Sequence, residues 1–177
     1  MAPDFDFQPR LSGDGVELRP LTTNDREALY KAVGVPRVWE AHPAYDRWKP
    51  EKFAPYFDGL LALDGALAII DTNSDQLAGT SSFYTCPDIH GGIAIGYTVI
   101  GMDWRGSGMN QRMKAAVLNH VFRMRDECWF HVAPSNLLSQ NAMTKLGAKM
   151  MYEADLELSG QITPYLCYRI ARTDWFN

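Results

Sequence analysis

Segments of continuous or alternating apolar residues recur along the chain and predict β-strands. We place these strands at residues 16–19, 67–70, 77–84, 94–100, 128–132, 149–157 and 162–170. A cluster of turn-forming residues at 71–75 separates the second strand from the third, so these two strands form a hairpin.

In other segments the apolar residues recur every three to four positions, which predicts helices. One helix follows the capping oxygens at 22–25, a second begins at Pro50, and two more cover about 108–123 and 139–146. The segment 34–49 is rich in proline and aromatic residues, and we interpret it as a loop or a broken helix. The second half therefore alternates strand and helix, which indicates a local parallel strand pair with a right-handed crossover. The predicted fold is a mixed α/β sheet flanked by helices.

Length and composition limit the number of domains and the class of partner. With 177 residues and no linker-like segment, the chain is predicted to be a single domain covering 1–177, with a flexible or peripheral N-terminal segment at 1–14. Seventeen Lys and Arg against 21 Asp and Glu give a net charge of −4, which argues against nucleic-acid binding. No signal peptide and no apolar run of about 18 residues is present, so we expect a cytoplasmic protein that binds no membrane.

The cysteines and histidines lack the spacing of a metal site. The three cysteines are far apart in the sequence, and we interpret them as buried free thiols. The four histidines form no ligand pair at helical spacing, so the sequence predicts no metal.

A turn with two glycines joins the predicted strand at 94–100 to the helix that follows. Gly106 and Gly108 flank Ser107, and glycine allows a left-handed backbone that can approach a ligand closely. The first amides of the helix have no partner within it, so they form an anion site suited to a pyrophosphate. Arg105 could add a charge-assisted hydrogen bond to a phosphate oxygen. The alternative is an ordinary turn that uses glycine only for its shape.

Two other phosphate-binding motifs are excluded. A P-loop requires a Gly-Lys-Ser/Thr triplet, which the chain lacks. A dinucleotide-binding turn requires a small residue three places after the second glycine, and that position holds the large Gln111.

Two motifs together resemble the GCN5-related N-acetyltransferase (GNAT) superfamily, and in particular its RimJ/RimL-type branch. Residues 103–108 match the pattern Arg/Gln-x-x-Gly-x-Gly/Ala, except that Asp103 replaces the first cation. Residues 136–148 match an Asn-x-x-Ser segment followed by a helix that ends in Leu-Gly-Ala. By itself the second segment also predicts Ser139 as a helix N-cap and Gly147 as a C-cap. The resemblance extends over about residues 16–170.

The resemblance implies a GNAT fold and acetyl-CoA as the cosubstrate. The fold has a mostly antiparallel central sheet, one splayed parallel strand pair and about four flanking helices. The pantetheine arm lies between the splayed strands and pairs with backbone groups near Val99 and Ile100, and the amides of 105–110 hold the pyrophosphate. Asn136 and Asn141 line the pantetheine or its thioester end. The implied cofactor-binding residues are Val99, Ile100, Trp104, Arg105, Gly106, Ser107, Gly108, Met109, Asn110, Asn136 and Asn141.

The resemblance also implies direct attack of a neutral amine on the thioester. Ser139 occupies the position of a serine that protonates the leaving thiolate in RimL-type enzymes, and Tyr97 or Tyr152 could replace it. The general base is less defined, and Glu157 is slightly favoured over Glu40. The other candidates for the base are Glu153, Asp155, His42 and His131.

Aromatic residues indicate either an acceptor pocket or ordinary packing. The residues concerned are Trp39, Tyr45, Trp48, Tyr56 and Phe57. In an acidic protein, a pocket of this kind suits a cationic amine, either a protein N-terminus or a small molecule. The alternative function is a non-catalytic acyl-CoA-binding sensor with the same fold. A homodimer is compatible with the resemblance.

Overall fold

The computed structural model describes residues 4–176, in which eight strands form one sheet. Their order across the sheet is β1-β2-β3-β4-β5-β6-β8-β7. The strands are β1 (Leu11–Gly13), β2 (Val16–Pro20), β3 (Ala66–Asp71), β4 (Gln76–Thr85), β5 (Ile93–Ile100), β6 (Glu127–Val132), β7 (Lys149–Glu157) and β8 (Ile162–Ala171). The helices are α1 (Arg26–Val33), α2 (Pro36–Trp39), α3 (Pro50–Ala62), α4 (Met109–Val121), α5 (Leu137–Leu146) and α6 (Arg172–Trp175). Short 3₁₀ turns lie at Thr23–Asp25 and Met102–Trp104.

The fold class is the predicted one, and every predicted strand and helix is present. The sequence analysis missed β1, which has only three residues, and α6, which has four. These elements are too short to show a period. Residues 34–49 form the four-residue helix α2 followed by turns, as the interpretation of a broken helix predicted.

The N-cap of α5 differs from the predicted residue. The N-cap of α5 is Asn136, whose side chain accepts a hydrogen bond from the Ser139 backbone amide, so the prediction of Ser139 as the cap was wrong. Like serine, asparagine offers a side-chain oxygen that can cap a helix, and the helix begins at Leu137, two residues earlier than predicted. Gly147 is the C-cap, as predicted, with φ +83°. In the N-terminal segment, Phe5 is buried in the core and β1 forms the edge of the sheet.

Both faces of the sheet are covered by helices. This explains why the sequence of β3 is continuously apolar. Leu67 and Ile69 pack in one core cluster, which also contains the buried face of α4. Ala66 and Ala68 point to the opposite face and pack in a second cluster with α1 and α3. A strand that is buried on both faces has no polar positions to alternate with.

The sheet opens at one place, between β5 and β6. This pair is the parallel one among the described strands, and its register contains one Cα pair, Ala94 with Trp129. All other neighbouring strands are antiparallel with longer registers. Beyond Ala94, the β6-facing edge of β5 is therefore not paired with β6.

Next to this opening, β5 contains a β-bulge. Thr80 pairs with Val99 but Ser82 pairs with Gly96, so β5 has one more residue than β4 over this stretch. Tyr97 lies in the bulge with φ +53°, a left-handed conformation that is uncommon for a bulky side chain. Bulges and strained backbone of this kind concentrate next to functional sites.

Candidate active site

The turn with two glycines has the geometry of an anion site. Gly106 and Gly108 have φ +76° and +81°, and Gly108 is the N-cap of α4 without a side-chain capping bond. The first helical bond runs from the amide of Arg112 to the carbonyl of Gly108, so the amides of Asn110 and Gln111 find no acceptor within the helix. The Met109 amide has a contact of 3.3 Å with Ser107 Oγ. These outward amides and the positive end of the helix dipole favour a phosphate.

The side chains that precede the turn anchor it to the rest of the fold. The Trp104 indole donates to Asp71 Oδ2 at 3.1 Å, and this bond lowers the pKa of the Asp71 carboxyl. Arg105 Nη2 donates to the Val38 carbonyl at 2.7 Å, so its guanidinium connects the turn to α2. The structure thus gives Arg105 a bond within the protein, and its expected phosphate contact stays a prediction.

Val99 and Ile100 lie on β5 directly beyond the bulge, at the opening towards β6. The expected pairing of their backbone groups with a pantetheine arm stays a prediction. Gly101 follows at the end of the strand, where an added Cβ would lie 2.5 Å from the Ala32 carbonyl. The end of β5 is therefore packed tightly against α1, which holds this edge in place.

A lysine that the sequence analysis did not single out is buried beneath the opening. Lys114 of α4 is 5% exposed, and its Nζ donates to Thr98 Oγ1 of β5 at 3.1 Å. The ammonium also lies 5.3 Å from the ring centroid of Phe130 on β6. No described acidic side chain pairs with it, and burial lowers the pKa of Lys114 to about 8. Its position among the apolar residues Met113, Val117 and Leu118 of α4 is the signal that could have identified it.

We expect Lys114 by itself to contribute a gain of about 2 kcal/mol in the free energy of unfolding between pH 7 and pH 10. The pKa of this lysine is lower in the folded chain than in the unfolded one, so the unfolded chain binds more protons across this interval. Denaturant unfolding of the wild type and of Lys114→Met at a series of pH values measures the effect. The free energy of unfolding of the wild type, taken relative to that of Lys114→Met, should rise by this amount with pH, and an identical pH dependence of the two proteins would contradict the expectation.

Asn136 and Ser139 lie at the start of α5, which follows β6, and Asn141 lies in the middle of this helix. Ser139 is half-buried, and its Oγ makes no hydrogen bond with the described part of the chain, so the hydroxyl is free for a ligand. The Asn136 side chain is used as the cap of α5. Asn141 is exposed on the same helix. The structure thus places Asn136 and Ser139, but not Asn141, at the N-terminal end of α5, and the side-chain oxygen of Asn136 is used in the cap.

The two favoured candidates for the general base lie on different elements. Glu40 follows α2 directly and is exposed. Glu157 is exposed at the end of β7, next to Leu158, whose carbonyl accepts a hydrogen bond from the Tyr97 hydroxyl. Glu153 and Asp155 are exposed on the same strand β7. Glu157 is therefore one residue from a direct contact with the bulge of β5.

The two histidines that were considered as bases differ in their surroundings. His42 Nδ1 accepts a hydrogen bond from the Ala44 amide at 2.9 Å, so its proton is on Nε2, and burial lowers its pKa to about 4. His42 is therefore neutral and already paired at neutral pH. His131 Nδ1 lies 2.8 Å from the Tyr84 hydroxyl, and burial lowers its pKa.

Tyr97 packs between two clusters of the site, a position that the sequence does not predict. It packs against the cluster that contains Trp39 and also against the cluster that contains Tyr84 and Trp129. Burial raises the pKa of Tyr97, so its phenol is a proton donor at neutral pH. Tyr97 thus lies between the cluster that contains Trp39 and the β7–β8 hairpin, where the Leu158 carbonyl accepts a hydrogen bond from its hydroxyl.

The aromatic side chains of the loop 34–49 pack mainly in the interior. Trp39 is buried and donates from Nε1 to the Val33 carbonyl at 2.8 Å. Arg47 lies over the rings of Trp39 and Tyr56, at 5.2 and 4.4 Å from the centroids. Phe57 is buried as well, whereas Tyr45 is exposed. Packing therefore accounts for most of these aromatic residues, and an arginine adjoins the site that was expected to attract a cation.

The model of the acetyltransferase (GNAT) domain matches residues 16–149, which is more than half of the chain. The chain belongs to the GNAT acetyltransferase family. It is accordingly an acyltransferase, and the matched residues include both the glycine turn and α5. No curated protein matches the chain in sequence.

Solved structures agree with this GNAT fold. A GCN5-related N-acetyltransferase from Brucella melitensis is similar with a TM-score of 0.79 and 17% identity, over 95% of this chain and 80% of that one. RimJ from Mycobacterium smegmatis, in complex with CoA-disulfide, has a TM-score of 0.65 and 18% identity, over 94% and 87%. A ribosomal-protein-S5-alanine acetyltransferase from Vibrio fischeri has a TM-score of 0.62 and 17% identity, over 95% and 99%. At these identities the likeness concerns the fold.

None of the helices within residues 4–176 combines the length and the apolar character that crossing a bilayer requires.

Proposed function

We propose that this GNAT acyltransferase moves the acetyl group of acetyl-CoA to a primary amine by direct attack. The observation that carries the proposal is the uncapped start of α4, with Gly108 at φ +81°, next to the unpaired edge of β5. The anion site fits a pyrophosphate, and the adjacent strand edge fits the amide groups of a pantetheine arm. The whole chain 1–177 acts as one domain in this proposal.

In the proposed reaction the amine nitrogen attacks the thioester carbonyl and the carbon–sulfur bond breaks. Ser139 donates a proton to the leaving thiolate, because its hydroxyl is free at the start of α5. Glu157 removes the proton of the amine, and Glu40 is the alternative. Glu157 is preferred because its neighbour Leu158 contacts Tyr97 at the bulge. The site holds the amine and acetyl-CoA in a reactive geometry. In favourable cases such positioning lowers the activation barrier by about 7–11 kcal/mol.

Protein N-termini are the first acceptor class to test. The similar folds include RimJ and a ribosomal-protein-S5-alanine acetyltransferase, which supports the RimJ/RimL-type assignment without deciding the acceptor. The three cysteines are free and buried, which fits a reducing compartment such as the cytoplasm. Arg47 beside Tyr97 favours an acceptor that also carries a negative or polar group.

The test combines thiol release with the dissociation constant for acetyl-CoA. The acceptor panel contains peptides that begin with alanine or serine, polyamines, amino acids and aminoglycosides. Thiol release that depends on one amine supports the transferase and identifies its acceptor class. Binding without release for the whole panel favours the sensor function, and absence of binding contradicts the proposal.

We expect Gly108→Ala to weaken acetyl-CoA binding about 5–30-fold. Its φ of +81° costs an alanine roughly 1–2 kcal/mol, which moves the α4 amides away from the anion. An added Cβ has space, so the effect comes from the backbone alone. Gly91→Ala is the matched control, because Gly91 has φ +72° and open space but lies at the other end of β5. Equal losses of affinity in the two variants would contradict the anion site.

A further inference from the structure

Three potential metal ligands that are distant in the sequence meet on one side of the sheet. His131 of β6 is the direct cross-strand partner of Cys167 of β8. Opposed residues on neighbouring antiparallel strands point to the same face, with Cβ atoms about 4.5–5.5 Å apart. Asp88, from the loop between β4 and β5, lies against this pair. The strands thus hold two of the ligands in place before any ion binds.

The donor atoms of the three side chains are close enough to share an ion. The imidazole nitrogen, the thiol sulfur and a carboxylate oxygen all lie within 4.8 Å of one another. His131 Nε2 and Asp88 Oδ1 are 3.8 Å apart. In tetrahedral zinc sites with these donors, bonds of about 2.0–2.3 Å place the ligand atoms roughly 3.3–3.8 Å apart. The cluster therefore needs to contract by no more than about 1.5 Å.

His131 is the side chain that indicates a missing partner. Its side chain is 0% exposed, and Nε2 has no hydrogen-bond partner among the described residues. The 3.8 Å separation from Asp88 is too long for a hydrogen bond. Cys167 is buried too, and its thiol makes a long contact of 3.9 Å with the Tyr165 carbonyl and also interacts with the Tyr152 hydroxyl. Buried polar nitrogens are normally paired, so an unpaired one facing two further ligands points to an ion.

Two tyrosine hydroxyls contact the His131 and Asp88 side chains at the atoms that are not offered to the ion. The Tyr84 hydroxyl lies 2.8 Å from His131 Nδ1, so the tautomer with hydrogen on Nδ1 directs the Nε2 lone pair at the cluster. The Tyr152 hydroxyl donates to Asp88 Oδ2 at 2.7 Å and leaves Oδ1 for the ion. Hydrogen bonds of this kind to the outer atoms of the ligands are regular features of metal sites.

We propose that Asp88, His131 and Cys167 together bind one divalent transition-metal ion, and that this ion is Zn²⁺. A thiolate, an imidazole and a carboxylate form a donor set that suits zinc and does not suit magnesium or calcium. The Asp88 side chain is 23% exposed, which provides an entry path and a position for a water as the fourth ligand. The bound ion fastens the loop between β4 and β5 to β6 and β8. It also fixes Tyr84, whose ring lies 5.5 Å from that of Tyr97.

The test begins with full-length protein dialysed against a chelator, to which Zn²⁺ or Co²⁺ is added alone. We expect one ion per chain, a higher melting temperature, and a sulfur-to-cobalt charge-transfer absorption with Co²⁺. Asp88→Asn and Cys167→Ser should each weaken Zn²⁺ binding by more than about 100-fold, and Cys167→Ser should remove the charge-transfer band. Tyr152→Phe, which removes the hydroxyl that bonds to Asp88 and interacts with Cys167 but keeps all three ligands, should weaken binding about 10-fold.

Two control variants separate this site from metal binding elsewhere. His90→Asn removes an exposed histidine of the same loop, and Cys128→Ser removes a buried cysteine. Both should retain the affinity and the cobalt spectrum of the wild type. Loss of binding in His90→Asn instead of Asp88→Asn would overturn the proposal. So would wild-type protein that shows no thiolate absorption with Co²⁺, a result that does not depend on any variant folding.

Discussion

Replacing Ser139 by alanine is expected to lower kcat for acetyl transfer by about 10²–10⁴-fold, the usual effect of losing a general acid. The binding of acetyl-CoA should be nearly unchanged, because the anion site lies on α4 and the pantetheine edge on β5. Ser139 Oγ has no hydrogen bond with the described residues, so the substitution removes no structural contact of the hydroxyl. Steady-state kinetics and the dissociation constant for acetyl-CoA, measured on the same preparations, provide the two readouts.

Two further variants serve as controls for Ser139→Ala. Thr144→Ala removes another hydroxyl from α5, one that donates to the Gln140 carbonyl at 3.2 Å, and should retain full kcat. Ser139→Thr keeps a hydroxyl and should recover part of the activity. If Ser139→Ala is fully active, the proton comes from another group, and Tyr97→Phe becomes the variant to measure. That outcome would leave the anion site and the family assignment intact.

Replacing Arg19 by methionine is expected to lower the free energy of unfolding by about 3–5 kcal/mol, the usual cost of leaving a buried ion unpaired. Arg19 donates to both oxygens of Asp25, at 2.9 and 2.7 Å. Asp25 is 6% exposed and also accepts bonds from the amide and the hydroxyl of Thr22, at 2.8 and 3.0 Å. This group ties β2 to the beginning of α1. Denaturant unfolding of the wild type and of Arg19→Met measures the loss.

The pH dependence provides an independent check on this ion pair. Burial by itself raises the pKa of Asp25, but the bonds from Arg19 and Thr22 outweigh it and hold the pKa below its usual value. A carboxyl with a lowered pKa stabilises the folded chain above its unfolded pKa of about 3.9, and this stability is lost as the pH falls further. The difference between the wild type and Arg19→Met should therefore narrow below about pH 4.

An exposed ion pair serves as the matched control. Lys149 and Asp174 are 3.1 Å apart, and their side chains are 66% and 41% exposed. Lys149→Met should change the free energy of unfolding by no more than about 1 kcal/mol. If Arg19→Met costs no more than Lys149→Met, the Arg19–Asp25 pair does not stabilise the fold in the way described.

The residues of the proposed metal site could not be recognised from the sequence pattern. Asp88, His131 and Cys167 come from a loop and two strands and have no metal-site spacing in the chain. Their meeting depends on the register of β6 against β8, which pairs residues that are 36 positions apart in number, 131 and 167. A shift of that register by one residue would turn one of the two side chains to the other face of the sheet.

The sequence by itself determined the features that depend on neighbouring residues. The apolar period predicts the long strands and helices because it is set by the local backbone geometry, and the two glycines predict the turn because only glycine readily adopts its φ values. The tertiary structure decided what depends on distant residues: the capping of α5 by Asn136, the bulge at Tyr97, the burial of Lys114 and the meeting of Asp88 with His131 and Cys167. These features arise from strand register and from packing between elements, which no local pattern encodes.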